Sequence, residues 1–397
     1  MKILVIHNRY RNRAGEDSTF DQEVALLQQS NHSIQVWTKD NKDINVGNFL
    51  DAIRLALSTI WSSKSYRELL AIIDDFKPDI IHVHNTLPLL SPSIFYAAKK
   101  RTIPTVITIQ NYRLSCPKGT FFRNNSTCEI CLNKSLLFSV YYKCYRDSRL
   151  QTATVALMLQ VHRLLRTWTE TITAYIAVSP FVRNKLVEMG IPAEKIYLKP
   201  NFLQGETKWL ETIDFGKYYL FVGRLETEKG ILNLLNAYQN LKSEYPLYIV
   251  GSGSLQSVVE QYASDNHKIQ YLGQRTREEV IQYMQGAIAL IFPSIWYEGF
   301  PLTILEAYSQ SLPVIGSNIG SVSYAIQNGI TGLTYPAGDE KALKRALLSI
   351  ENDRKDWIDL KKNILNNLDE IYFVDNNISF LVEIYQRIVK DYYCKEN

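Results

Sequence analysis

Ten short apolar runs, alternating with helix-like segments, constrain the fold of this chain more than any other feature. The first five are KILVI at 2–6, SIQVW at 33–37, DIIHV at 79–83, PTVITI at 104–109 and AYIAV at 174–178. The pattern then restarts with YYLFV at 218–222, PLYIV at 246–250, KIQYL at 268–272, IALIF at 288–292 and LPVIG at 312–316. A continuous apolar run bounded by turn residues suits a strand covered on both faces, and strands alternating with helices build parallel sheets. The expected class is α/β, with two Rossmann-like doubly wound parallel-sheet domains. At 397 residues the chain is too long for one compact core and suits two.

Residues 1–198 make the first expected domain, with a cysteine-containing insert at 113–149, and residues 215–377 make the second. Between them, 199–214 has no clear period and holds Pro200 and Gly205, which reads as a linker. The last helical stretch, 378–397, is free to pack on either domain, the first included. Ligands of open α/β sheets bind outside the carboxyl ends of the strands, so a cleft between the two domains is the expected site.

The segment PSIWYEGFPLTILEAY follows IALIF and carries two carboxylates, Glu298 and Glu306, eight positions apart. Gly299 and Pro301 mark the turn, and Ile304, Leu305 and Tyr308 share a helical face. Glu298 therefore belongs to the strand-to-helix turn and Glu306 to the helix just past its first turn. The N–H groups of Phe300, Leu302 and Thr303 are expected as free donors at a helix N-terminus, a cradle for phosphate. A carboxylate beside phosphate needs a neutral partner, and the paired hydroxyls of a sugar or ribose supply one. The stretch suits a ligand with both a phosphate and sugars.

Two other strand ends of the second series carry related signals. Gly223-Arg224-Leu225-Glu226-Thr227-Glu228-Lys229-Gly230 follows YYLFV, and its cations can neutralise a diphosphate leaving group, a task often given to a metal. The chain has no Asp-x-Asp for a metal-bound diphosphate. Gly251 and Gly253 follow PLYIV, where glycine lets backbone approach a base or phosphate closely, or simply turns a strand into a helix.

At this point the chain resembles a family 4 (group 1) glycosyltransferase of the GT-B fold over nearly its whole length. The carrying motifs are Glu298 to Glu306 (EGFPLTILE), the loop GRLETEKG at 223–230, and YIAVSPF at 175–181 with KPNF at 199–202. The resemblance implies that Arg224 and Lys229 grip the donor diphosphate and that Glu298 contacts hydroxyls of the transferred sugar. Backbone around Gly299, Phe300, Pro301, Leu302 and Thr303 would meet sugar and phosphate, and Glu306 would hold the ribose. Gly223, Gly253 and Arg275, the last in the turn after KIQYL, complete the donor side. On the first domain the matching positions are Gly15, Gln110, Asn111 and Asn201. The family retains anomeric configuration, with the leaving diphosphate assisting attack on the same face, so neither a protein nucleophile nor a catalytic cofactor is expected.

Two departures qualify the match. The early loop NRYRNRAGEDS offers Gly15 alone where paired glycines are common, and Gln110 stands where many members have a histidine. Glutamine hydrogen-bonds but does not titrate near neutral pH, so it cannot take over proton transfer there.

Other features leave alternatives open. His82 and His84 lie two apart on a strand and face one side, as structural or acceptor-pocket histidines or as metal ligands lacking an evident third partner. Cys116, Cys128, Cys131 and Cys144 form C-x11-C-x2-C-x12-C, which suits a structural zinc, reduced buried thiols or a redox pair. Asn48 to Leu70 contains an amphipathic stretch able to lie on a membrane or pack on its own domain. Residues 1–180 carry 22 basic and 14 acidic groups, a balance of +8, whereas the remainder carries 22 and 26, or −4. A basic first half suits an acidic acceptor or an anionic membrane, and without an aromatic-basic motif it does not suit nucleic acid.

The expected activity is that of a retaining hexosyltransferase-type enzyme. It would move a sugar from a nucleotide diphosphate sugar to a glycan or lipid-linked acceptor in polysaccharide, capsule or lipopolysaccharide assembly. The expected place is the cytoplasm, with peripheral contact at the inner face of the membrane, since no apolar run reaches membrane-span length. The competing readings are a GT-B sugar-nucleotide epimerase or hydrolase and a non-catalytic sugar-nucleotide-binding protein. A dinucleotide-dependent oxidoreductase is excluded because no G-x-G-x-x-G follows KILVI.

Overall fold

The structure, a computed structural model, describes every residue except 14, 46, 204–213, 240, 368–371, 373 and 397. Most of the expected linker therefore lies outside the described residues. The chain forms two compact units, Met1–Phe121 with Cys128–Pro200 and Asp375–Asn397, and Phe122–Thr127 with Asn201–Val374.

The first unit contains strands β1 (Lys2–Arg9), β2 (Ser33–Asp40), β3 (Ile80–Asn85) and β4 (Thr105–Ile109). A two-stranded hairpin, β5 (Phe122–Arg123) and β6 (Ser126–Thr127), interrupts the series and groups with the second unit. β7 (Ala174–Ala177) and β8 (Ile196–Leu198) complete the first sheet in the order β2-β1-β3-β4-β7-β8, all parallel. The second unit contains β9 (Tyr218–Val222), β10 (Leu247–Val250), β11 (Ile269–Gly273), β12 (Ala287–Phe292), β13 (Val314–Ser317) and β14 (Gly332–Tyr335). Their order is β11-β10-β9-β12-β13-β14, again all parallel, with the winding direction reversing between β9 and β12.

The continuous apolar runs follow from this architecture. In β9, Tyr219 and Phe221 join one core with Ile249 and Ile315, while Leu220 joins the opposite core with Val250, Leu290 and Val314. Successive side chains point to opposite faces, so a strand buried on both favours apolar residues at every position and takes a polar one only where a buried partner meets it.

The helix Val374–Glu396 supplies part of the first unit's core: Ile378, Leu381, Ile384, Tyr385 and Ile388 pack with Ile3, Val5, Phe20 and Val24. Each such side chain contributes about 1.5 to 3 kcal/mol when fully buried. The stretch from Asn48 to Leu70 is not one helix but two, Phe49–Ile60 and Ser63–Phe76, and the first buries only Thr59.

Candidate functional site

Ligands of doubly wound sheets bind where the winding reverses, and in the second unit that point lies between β9 and β12. β9 runs into Gly223 and Arg224, then a tight turn at Thr227–Lys229 closed by Gly230, and then the helix Ile231–Gln239. Gly230 has φ 69°, and a Cβ there would lie 1.9 Å from the Pro293 carbonyl oxygen. Glycine thus lets the turn lie against the segment leaving β12. The Ile295 N–H, donating to the Glu228 carbonyl at 3.0 Å, ties the two segments together.

This approach sets Lys229 Nζ 2.8 Å from Glu298 Oε1. The same oxygen accepts the Ser294 hydroxyl at 2.6 Å and the Trp296 indole N–H at 2.8 Å. Glu298 is only 6% exposed, and one cation with two neutral donors compensates its burial. The ammonium also lies over the Phe292 and Trp296 rings, 5.9 and 5.4 Å from their centroids. Arg224 remains exposed and pairs with Glu228 at 3.1 Å. Ser294 and Trp296 escape the sequence reading because no charge or spacing rule marks them; their only signal is their place in the turn that carries Glu298.

Glu306 lies on the helix Leu302–Ser309, where its Oε1 accepts from Arg277 Nε at 3.3 Å. Burial pushes the Glu306 carboxyl above its ordinary value and Arg277 opposes that shift. Arg277 was also missed, being 29 positions away. At the helix start, the Leu302 N–H turns back to the Phe300 carbonyl at 3.1 Å and the Ile304 N–H donates to Pro301 at 3.0 Å. Leu302 is therefore not a free donor, which narrows the expected cradle to Phe300 and Thr303. Gly299 presents its carbonyl to the Ser321 hydroxyl at 2.8 Å.

The glycines after β10 serve the neighbouring loop. A Cβ on Gly251 would lie 1.9 Å from the Gly223 carbonyl oxygen, and one on Gly253 2.5 Å from that of Leu225. Their close approach is to the backbone carrying Arg224, which they hold in place. Arg275 follows β11 and pairs with Glu279 at 3.3 Å.

On the first unit, a Cβ on Gly15 would meet nothing within 4 Å, so this helix start faces open space. Gln110 and Asn111 line a cavity of about 40 Å³ together with His84 and Arg113. The Asn111 amide donates to Glu16 Oε2 at 3.1 Å, and the Tyr10 hydroxyl donates to the same oxygen at 2.8 Å. Burial pushes the Glu16 carboxyl up. Glu16 was not singled out from sequence, although it adjoins Gly15. Asn201 is buried.

His82 and His84 do meet a third group. Glu23 Oε1 lies 3.4 Å from His82 Nδ1 and 3.2 Å from His84 Nε2, and the three ligand-type atoms fall within 4.8 Å of one another. Lys199 Nζ occupies the other side of the carboxylate, 3.1 Å from Glu23 Oε2. A buried ammonium there already balances the carboxylate and would repel a divalent cation, so the group is a buried ion-pair cluster. The Tyr385 hydroxyl lies 2.6 Å from His82 Nδ1 and the Thr108 hydroxyl 2.7 Å from His82 Nε2, so both ring nitrogens are hydrogen-bonded.

All four insert cysteines are free thiols. Burial, followed by the nearness of Cys116, Cys144 and Cys128, pushes the Cys131 thiol up to about 12. Among the described residues, Glu23, His82 and His84 are the only set of three potential ligands gathered within 4.8 Å. The four sulfurs are thus neighbours that do not yet make a ligand set.

Two family models match the chain, Glycosyl transferases group 1 over residues 210–367 and Glycosyltransferase Family 4 over residues 25–204. Among similar curated proteins, the amylovoran biosynthesis glycosyltransferase AmsK of Erwinia amylovora is 27% identical over 197 residues, covering 46% of this chain and 48% of the relative. The D-rhamnosyltransferase WbpZ of Pseudomonas aeruginosa is 31% identical over 169 residues, 42% and 43% of the two chains. The matches span about half the length of these relatives or slightly less. Among solved structures, the lipopolysaccharide outer core galactosyltransferase WaaB superposes with TM-score 0.65 at 20% identity, covering 96% of this chain and 99% of that one. Anabaena Alr3699/HepE in complex with UDP superposes with TM-score 0.71 at 13% identity, covering 98% and 100%. These likenesses establish the GT-B fold.

Proposed function

Because the chain belongs to the family 4, group 1 glycosyltransferases, we propose that it moves a sugar from a nucleotide diphosphate sugar to a glycan or lipid-linked acceptor, with retention at the anomeric carbon. The observation carrying this reading is the Lys229–Glu298 pair at the point where the second sheet reverses its winding. An ammonium has three donors; with one given to Glu298, Lys229 can turn the others, together with Arg224, toward a diphosphate. Glu298 then holds hydroxyls of the transferred sugar, and Glu306 holds the ribose. As the bond from the anomeric carbon to the diphosphate breaks, the acceptor oxygen bonds to that carbon on the same face and its proton passes to the departing phosphate. The cations stabilise the charge that develops on the leaving group.

The first unit would take the acceptor. Assembly of a polysaccharide or lipopolysaccharide is supported by relatives named for amylovoran biosynthesis and lipopolysaccharide core synthesis. UDP is the first nucleotide to try, since solved neighbours bind it.

Thermal melting against UDP, GDP, dTDP and their sugars tests the donor half. At about a hundred times its dissociation constant the right nucleotide should stabilise the protein by about 2.7 kcal/mol, a rise of a few degrees. Glu306→Ala is expected to shrink that rise. No rise with any nucleotide at saturation would refute the donor reading.

A structural zinc at Cys116, Cys128, Cys131 and Cys144 is a separate proposal, which requires the sulfurs to draw together. Metal analysis of freshly purified protein is expected to find one zinc per chain, lost in Cys131→Ser. A metal-free protein in which all four insert thiols react with a thiol reagent on unfolding would overturn it.

A further inference from the structure

We propose that one apolar face of the first unit, built by the helices Phe49–Ile60, Leu137–Tyr141 and Arg149–Leu164, docks on an anionic lipid bilayer. The proposal deepens the acceptor half of the function above and rests on it for its purpose, since a lipid-linked acceptor must be met at a membrane.

Helix Phe49–Ile60 turns its larger apolar side chains outward. Phe49, Leu50, Ile53 and Leu57 fall on one helical stripe, which an amphipathic helix ordinarily turns toward the core. Here they are 71, 62, 39 and 62% exposed. The helix Arg149–Leu164 is instead apolar on two faces. Thr152, Val155, Ala156, Leu159 and His162 are buried and anchor it to its own unit. Leu150, Leu157 and Leu164 recur every seventh residue on the remaining surface, at 66, 53 and 74% exposure. That row contributes nothing to the unit's own core. The short helix Leu137–Tyr141 adds Leu137, Phe138, Tyr141 and the adjoining Tyr142, all exposed.

Both shorter helices pack against the long one, so their outward residues form one neighbourhood. Thirteen of the twenty large apolar side chains exposed among the described residues lie on or beside these three helices. Scattered single apolar residues are ordinary on a protein surface, but a concentration like this marks an interaction site.

Charge selects the occupant. Residues 134–166 hold six lysines and arginines against one acid, Asp147, and Lys134, Lys143, Arg146 and Arg149 are exposed. Two copies of this face would bring like charges together, whereas an anionic bilayer offers opposite charge and an apolar interior. Tyr141, Tyr142 and Trp61 suit the headgroup level, where aromatic rings with a polar edge are favoured. Among the described residues no helix is long and apolar enough to cross a membrane, so the contact is one of lying on the surface.

Vesicle flotation tests the proposal, with the full chain and no nucleotide present. Vesicles of phosphatidylcholine with phosphatidylglycerol are expected to carry the protein at least about tenfold better than phosphatidylcholine alone. The double variants Leu50→Ser/Leu57→Ser and Lys143→Glu/Arg146→Glu should both lose that binding. Their melting temperature and nucleotide-induced shift should match the wild type, since none of these residues belongs to the donor site. Absence of flotation on anionic vesicles at low salt would overturn the proposal, as would equal binding by the variants. A concentration-dependent dimer abolished by the leucine variant, without vesicle binding, would assign the face to a second copy. Failure of the nucleotide shift alone would refute the donor reading and leave this inference standing.

Discussion

Replacing Lys229 by methionine is expected to lower sugar transfer by about a hundred- to a thousand-fold while leaving the protein folded. The magnitude is that of losing one preorganised group at a developing negative charge. Folding should survive because Glu298 keeps two neutral donors, Ser294 and Trp296, after the ammonium is gone. The measurement is release of nucleoside diphosphate from the donor identified by melting, with the variant's own melting temperature as control. Glu298→Gln separates the two roles: it keeps side-chain volume but removes the charge facing Lys229. An undiminished rate in Lys229→Met would remove this pair from the chemistry.

Glu23→Ala is expected to destabilise the first unit by about 3 to 5 kcal/mol, the cost of stranding a buried charge. Lys199 is 3% exposed and would be left without its carboxylate. The double variant Glu23→Leu/Lys199→Met should recover most of the loss, because an apolar pair removes the stranded charge. Urea denaturation measures both; equal stability of Glu23→Ala and wild type would show that the cluster carries no such charge balance.

The same region makes stability depend on pH. Burial first, then His84, lowers His7 to about 4, and burial lowers His82 well below its usual value. Both histidines stay neutral in the folded unit while the unfolded chain takes up protons below about 6.5. Stability is therefore full above pH 6.5 and falls as pH drops toward 4, by about 3 kcal/mol for His7 alone. Burial would raise the Glu23 carboxyl, but Lys199, His84 and His82 hold it well below the carboxylate range. Its contribution is present above the unfolded carboxylate pKa and disappears only as pH falls through its own depressed value. His7→Gln should reduce the loss between pH 6.5 and 4 by about 3 kcal/mol and leave the share due to His82.

Each of the ten expected runs coincides with a strand; in the central strands burial on both faces marks every residue, while the edge strands β2 and β11 show themselves by apolar residues at only part of their length. β8 and β14 left none: β8 spans only three residues, and β14 mixes Gly332 and Thr334 with two apolar residues, so neither makes a continuous apolar run. The site was legible in the same uneven way. Glu298, Glu306, Arg224 and Lys229 announce themselves as charges beside buried strands. Ser294, Trp296 and Arg277 acquire meaning only when a turn or a second helix brings them to those charges, which is information about distance in space. Gly253 has two readings in the sequence, ligand contact or a plain turn, and the structure adds a third need for glycine, its packing against the Leu225 carbonyl. The amphipathic stretch after Asn48 could be read from its period, but which side faced outward could not, because a helical period fixes a stripe without saying what covers it.

The closing helix has a consequence for how the protein is made. Ile378, Leu381, Ile384 and Tyr385 complete a core begun by Ile3 and Val5, yet they leave the ribosome after the whole of the second unit. Synthesis that ordinarily lets an N-terminal domain fold first here holds that domain open until translation has passed the other. The nascent first unit must keep its unfinished apolar surface out of aggregates for the time needed to translate residues 201–374.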